Sequence, residues 1–83
     1  MPEELHVELP VPLYRQMCDV LRKEIESQGL GPGTRLPTEK DLAERFGVSL
    51  ITVRGCLSEL VREGILVRRQ GRGTFVASRR PKV

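Results

Sequence analysis

The side chains that ordinarily make and break bonds are sparse in this chain of 83 residues. One histidine, His6, stands near the N-terminus, and the two cysteines, Cys18 and Cys56, lie far apart in helical patterns. No nucleophile stands beside a base, and no His, Cys, Asp and Glu set has the spacing of a metal site, so neither catalysis nor a metal or cofactor is expected. The cysteines read as small buried hydrophobes. What the chain does array is positive charge. Residues 1–30 carry three basic and six acidic groups, whereas residues 62–83 carry seven basic and one acidic, within a formal net charge of +3. A small domain with one basic end is expected to seek a polyanion, where lysines and arginines gain affinity by displacing counterions; from charge alone the alternative is an ordinary solvated surface.

The elements that must position this charge are legible. Leu36-Pro-Thr-Glu-Lys-Asp-Leu-Ala-Glu-Arg-Phe-Gly-Val-Ser-Leu-Ile-Thr-Val-Arg54 encodes two short helices joined by a tight turn. Thr38 can cap the first helix with Asp41 three residues on, and Leu42, Ala43 and Phe46 supply its apolar face. Gly47 stands where that helix must end in a left-handed residue, and Ser49 can cap the next. So short a connection forces the helices to cross steeply, as in a helix-turn-helix.

Around this pair, Leu13, Met17, Cys18, Leu21 and Ile25 recur at helical spacing after Pro12, predicting a first helix that ends near Gln28-Gly29. The run from Gly29 to Thr34 is a turn, since it lacks the lysine and hydroxyl ending of a phosphate loop. Thr34-Arg-Leu36 is a candidate for a very short strand. Val53, Leu57, Leu60 and Val61 mark the buried face of the helix after Ser49, with Ile51, Arg54, Gly55, Ser58 and Arg62 on its exposed face and Glu63-Gly64 at its end. Ile65–Arg69 and Thr74–Ala77 predict a hairpin with a basic tip. We expect residues 1–11 to form a loosely docked arm, 12–77 the folded domain and 78–83 a flexible basic tail. Neither a run of about 18 apolar residues nor a signal-peptide pattern occurs, so a soluble cytoplasmic protein without membrane contact is the expectation. At this size we expect one small core and no ligand cavity.

The order helix, helix, helix, hairpin is that of an α+β, three-helix winged helix-turn-helix with a C-terminal β-hairpin wing. The residues resemble the DNA-binding domain of the GntR (gluconate-repressor) family of bacterial transcription regulators. The pieces that carry the resemblance are Pro12-Leu-Tyr-x-Gln16, Leu30-x-Pro-Gly33, Leu36-Pro-Thr-Glu39, Leu42-Ala-x-x-Phe-Gly-Val-Ser49, Thr52-Val-Arg54, Leu57-x-x-Leu60, Glu63-Gly64 and Gly71-x-Gly-Thr-Phe-Val76, in order and at family-like spacing.

The resemblance implies sequence-specific binding to duplex DNA, as a homodimer on a roughly palindromic operator, by a transcription regulator of repressor type. It sets the second helix of the helix-turn-helix in the major groove and the wing at the minor groove. It marks Lys40, Ser49, Leu50, Thr52, Arg54, Gln70 and Gly71 as facing DNA, and we add Arg72 of the wing. These roles make physical sense. Arg54 can fork onto a guanine edge or a phosphate, and Ser49 and Thr52 lie in a first turn whose hydroxyls and amides can meet phosphate oxygens. Lys40 supplies a point charge; Gly71 and Gly73 allow close approach, and Arg72 suits an electronegative minor groove.

Two departures stand out. Leu50, followed by Ile51, occupies a position where the family usually has Arg, so that residue either touches a thymine methyl or folds against the core. Family members also usually carry an effector-binding and dimerising domain that these residues do not include, and no small-molecule effector site is expected within them. Gly55, in mid-helix and on the exposed face, has no functional account. The competing reading is a winged helix that mediates protein contacts, with Leu50 and Ile51 on the contact surface.

Overall fold

The structure, a computed structural model, describes Leu5 and residues 11–78. Helix α1 spans Leu13–Ser27, α2 Glu39–Phe46 and α3 Leu50–Arg62, followed by strands β1, Leu66–Arg69, and β2, Gly73–Val76. Pro12 is the N-cap of α1 and not its first helical residue, and Gln28 closes the helix as expected. The arm and the tail fall outside the described residues, apart from Leu5, which packs against the core, and the exposed Val11 and Ser78.

The helix-turn-helix forms through the expected caps. Thr38 Oγ1 accepts the Asp41 amide at 3.1 Å and Ser49 Oγ accepts the Thr52 amide at 3.2 Å. Gly47 turns left at φ 67°, a conformation that costs glycine nothing and other residues about 1 kcal/mol or more. Met17, Cys18, Leu21 and Ile25 of α1 meet Leu42 and Phe46 of α2 and Val53, Cys56, Leu57 and Leu60 of α3 in one buried cluster. The hairpin closes it through Leu66 and Val76. Val61, expected in the buried face, is half-buried at its edge, and Cys56 takes the buried position between Val53 and Leu57. Both cysteines are buried as read, and the Cys18 thiol donates to the Cys56 carbonyl at 3.3 Å across the α1–α3 crossing. The contact with Cys18 and burial together push the Cys56 thiol far above the ordinary thiol range, so it stays protonated and inert.

The wing is antiparallel, with Leu66 opposite Val76 and Arg69 opposite Gly73. The candidate strand Thr34-Arg-Leu36 is reduced to a single bridge, Arg35 to Phe75, extended by hydrogen bonds from Leu36 N to Thr74 O (2.9 Å) and Val76 N to Thr34 O (2.8 Å). It covers the outer edge of β2, and Arg68 and Arg69 place charges along β1, which discourages pairing with another chain.

Ion pairs tie the helices at their surfaces. Arg22 of α1 forks onto Glu63 beyond α3 at 2.8 and 2.9 Å, and Arg45 of α2 pairs with Glu24 of α1. Each is partly exposed and contributes about 1 kcal/mol or less.

Gly55 corrects the sequence reading. It is half-buried where α3 crosses α1, and a Cβ built there would lie 3.5 Å from Tyr14 Cβ, ordinary contact with no backbone in the way. Since glycine within a helix costs up to about 1 kcal/mol relative to alanine, Gly55→Ala should stabilise the domain. Thermal unfolding should show a rise in Tm of roughly 4–8 °C for each kcal/mol gained; a fall would mean that the crossing cannot admit a methyl group.

Candidate nucleic-acid interface

The residues singled out in the sequence fall in two groups on the surface. The first is the start of α3. Ser49 is committed to its cap, and its Oγ also lies 3.1 Å from Thr52 Oγ1. The Thr52 amide is therefore already satisfied by the expected cap. The amides of Leu50 and Ile51 precede the first intrahelical bond, which Val53 donates to Ser49 O at 3.1 Å, and they are the ones oriented to receive an acceptor. Leu50 is 42% exposed and lies outside the core cluster, while Ile51 is 79% exposed. The inward alternative for Leu50 is thus not realised. Lys40 stands exposed in the first turn of α2.

The second group is the wing tip, where Gln70, Gly71 and Arg72 are all exposed and Arg72 N donates to Arg69 O at 2.9 Å. Gly71 has φ 77°, as the tight turn demands. Gly73, at φ 126°, has a second reason to lack a side chain. A Cβ there would come within 3.2 Å of Arg35 Nε, so the close approach that Gly73 permits is taken up by a neighbouring guanidinium.

Arg54 joins the two groups. Its Nε donates to Glu39 Oε1 at 3.0 Å, and its carbonyl accepts from Arg68, whose guanidinium also lies 3.4 Å from Ser58 Oγ. Glu39 in turn lines an open cleft of about 420 Å³ between the α2 N-terminus and the wing, with Arg35, Arg68, Arg69 and Arg72 in its walls. A cavity was not expected at this size; this one is a groove with guanidinium walls, whose chemistry is that of anion recognition. Sequence reasoning missed Arg35, Arg68 and Arg69. For Arg68 and Arg69 the signal was the expected strand itself, whereas Arg35 enters only through its bridge to Phe75, which local patterning does not reveal. Among the described residues no group of His, Cys, Asp or Glu could hold a metal ion, and no helix is long and apolar enough to cross a membrane.

Comparison with known proteins accords with this geometry. The family profile described as "Bacterial regulatory proteins, gntR family" matches residues 13–76. The repressor NagR of Bacillus subtilis is 47% identical over 74 residues, which cover 89% of this chain and 30% of that protein. The repressor MngR of the mannosyl-D-glycerate transport and metabolism system of Escherichia coli is 49% identical over 69 residues, 83% of this chain and 29% of its own length. The chain thus spans under a third of these curated relatives. Among solved structures, the DNA-binding domain of AraR in complex with operator ORX1 superimposes with a TM-score of 0.81 at 34% identity, over 93% of this chain and 99% of that one. YtrA of Sulfolobus acidocaldarius, a GntR-family transcription factor, gives a TM-score of 0.81 at 34% identity over 93% of this chain and 81% of its own.

The capping role of Ser49 can be measured directly. Ser49→Ala should cost about 1 kcal/mol in chemical denaturation, the usual worth of an N-cap. An unchanged midpoint would show that the start of α3 is held by packing alone.

Proposed function

The chain belongs to the GntR family of bacterial regulatory proteins, and on that premise we propose that it binds duplex DNA sequence-specifically as the reading head of a transcriptional repressor. The observation that carries this is the likeness, over nearly the full length of both chains, to an AraR domain solved on its operator. In this reading α3 enters the major groove. Arg54 makes the base contact, while Ser49, Thr52, Lys40 and the amides of Leu50 and Ile51 face phosphates. Gln70, Gly71 and Arg72 bring the wing to the adjacent minor groove, and Arg35 and Arg69 extend its positive field. Leu50 faces the bases in place of the usual arginine.

The domain works by recognition and performs no chemistry. It acts in the cytoplasm and pairs with a second copy on a roughly palindromic operator, and these residues hold no small-molecule effector site. Two-fold symmetry in the protein is matched by two-fold symmetry in the site, which accounts for the palindrome.

An electrophoretic shift with duplexes selected from a random pool tests the reading. Each phosphate neutralised should contribute a slope of about −0.9 to log K against log salt; affinity that does not change between low and moderate salt overturns it. Arg54→Ala should relax base preference with a loss on the order of 1–3 kcal/mol. Arg72→Ala should weaken all sequences more evenly. Negligible effects from both would place the interface elsewhere.

A further inference from the structure

The first turn of α3 carries an apolar feature that a phosphate-binding surface does not require. Leu50 and Ile51 are, with Val11, the exposed large hydrophobic residues among those described, and neither belongs to the core cluster. They stand three and four residues before Arg54 and so share its face of the helix. Arg54 is paired with Glu39, and Arg68 is bonded to the Arg54 carbonyl. The apolar pair thus shares a helix face with one arginine, at a helix tip whose amides favour negative charge.

That setting selects the occupant. Two side chains are too small for a stable protein interface, which takes about 800 Å² from each partner, and a helix tip with open amides and Arg54 one turn further on suits a polyanion. Within the major groove of a polyanionic duplex, the apolar group on the base edges is the C5 methyl of thymine. Resting on the DNA-binding reading above, we propose that Leu50 and Ile51 read thymine methyl groups, so that the half-site carries thymine where an arginine at this position would select guanine. Arg54 lies about 6 Å further along α3 than Leu50, so with α3 lying along the groove the two contacts are separated by roughly two base-pair steps. The thymine therefore lies within one to three base pairs of the base pair that Arg54 contacts.

The test removes the methyl and nothing else. Duplexes recovered by the full chain from a random pool are resynthesised with each thymine replaced in turn by deoxyuridine, and binding is measured by fluorescence anisotropy at fixed salt. With the wild-type chain, one or two positions per half-site should lose roughly three- to fivefold in affinity, the worth of burying one carbon. At those positions the deoxyuridine penalty should vanish in Leu50→Ala or Ile51→Ala. Because the penalty is a ratio within one variant, a change in the folded fraction cancels. Leu50→Arg should exchange the thymine preference for guanine. Uniform tolerance of deoxyuridine, recovered sites without thymine near the Arg54 position, or a penalty that survives in both alanine variants overturns the inference and leaves duplex binding intact. Failure to retain any duplex at low salt overturns both.

Discussion

The left-handed turn at Gly47 is the constraint on which the rest of the surface depends. With only Val48 between it and Ser49, the chain leaves α2 and starts α3 at once, so the two helices cannot lie side by side along their length. Val53, Cys56, Leu57 and Leu60 are thereby drawn into the core, and the face with Leu50, Ile51 and Arg54 is pushed into solvent. A residue with a Cβ at position 47 would strain the turn and tilt the whole exposed face together with it.

The other elements hold that face at a fixed attitude. Helix α1 crosses behind α3, with Gly55 against the Tyr14 side chain and the Cys18 thiol on the Cys56 carbonyl. The hairpin is docked by Leu66 and Val76 from below and by Arg68 from the side. Its far edge is closed by residues 33–36, so the wing rests on the segment that leads into α2. The two halves of the candidate interface are thus connected through short hydrogen-bonded paths and not merely by chain continuity.

Much of this was legible from local chemistry. The caps at Thr38 and Ser49, the glycine at 47, the apolar spacing of α1 and the hairpin around residues 70–73 each depend on neighbours within a few residues, and each formed. The misreadings came from contacts between distant parts of the chain. Gly55 was taken as exposed because nothing near it in sequence announces Tyr14. The short strand at Thr34–Leu36 shrank to one bridge because its partner, Phe75, lies in a hairpin whose own pairing decides where the edge falls. Arg35 was overlooked as an anion-facing side chain for the same reason. The start of α3 was legible as a set of residues with Ser49 as its cap, and the cap's bond to the Thr52 amide leaves those of Leu50 and Ile51 outermost.

The ion pair between Arg54 and Glu39 sets a threshold for whatever the guanidinium meets. A cation with no partner would reach for any acceptor, including the phosphates that every duplex offers alike. Here it already holds a carboxylate at 3.0 Å, in a pair exposed enough to be weak but close enough to persist. An outside acceptor gains only the difference between its own geometry and that of Glu39, so a single misaligned oxygen returns little while a matched pair of acceptors returns more. The carboxylate behaves as an internal competitor: it lowers the pull on every sequence by the same amount, so absolute affinity falls while the difference between a fitting site and the rest is left intact.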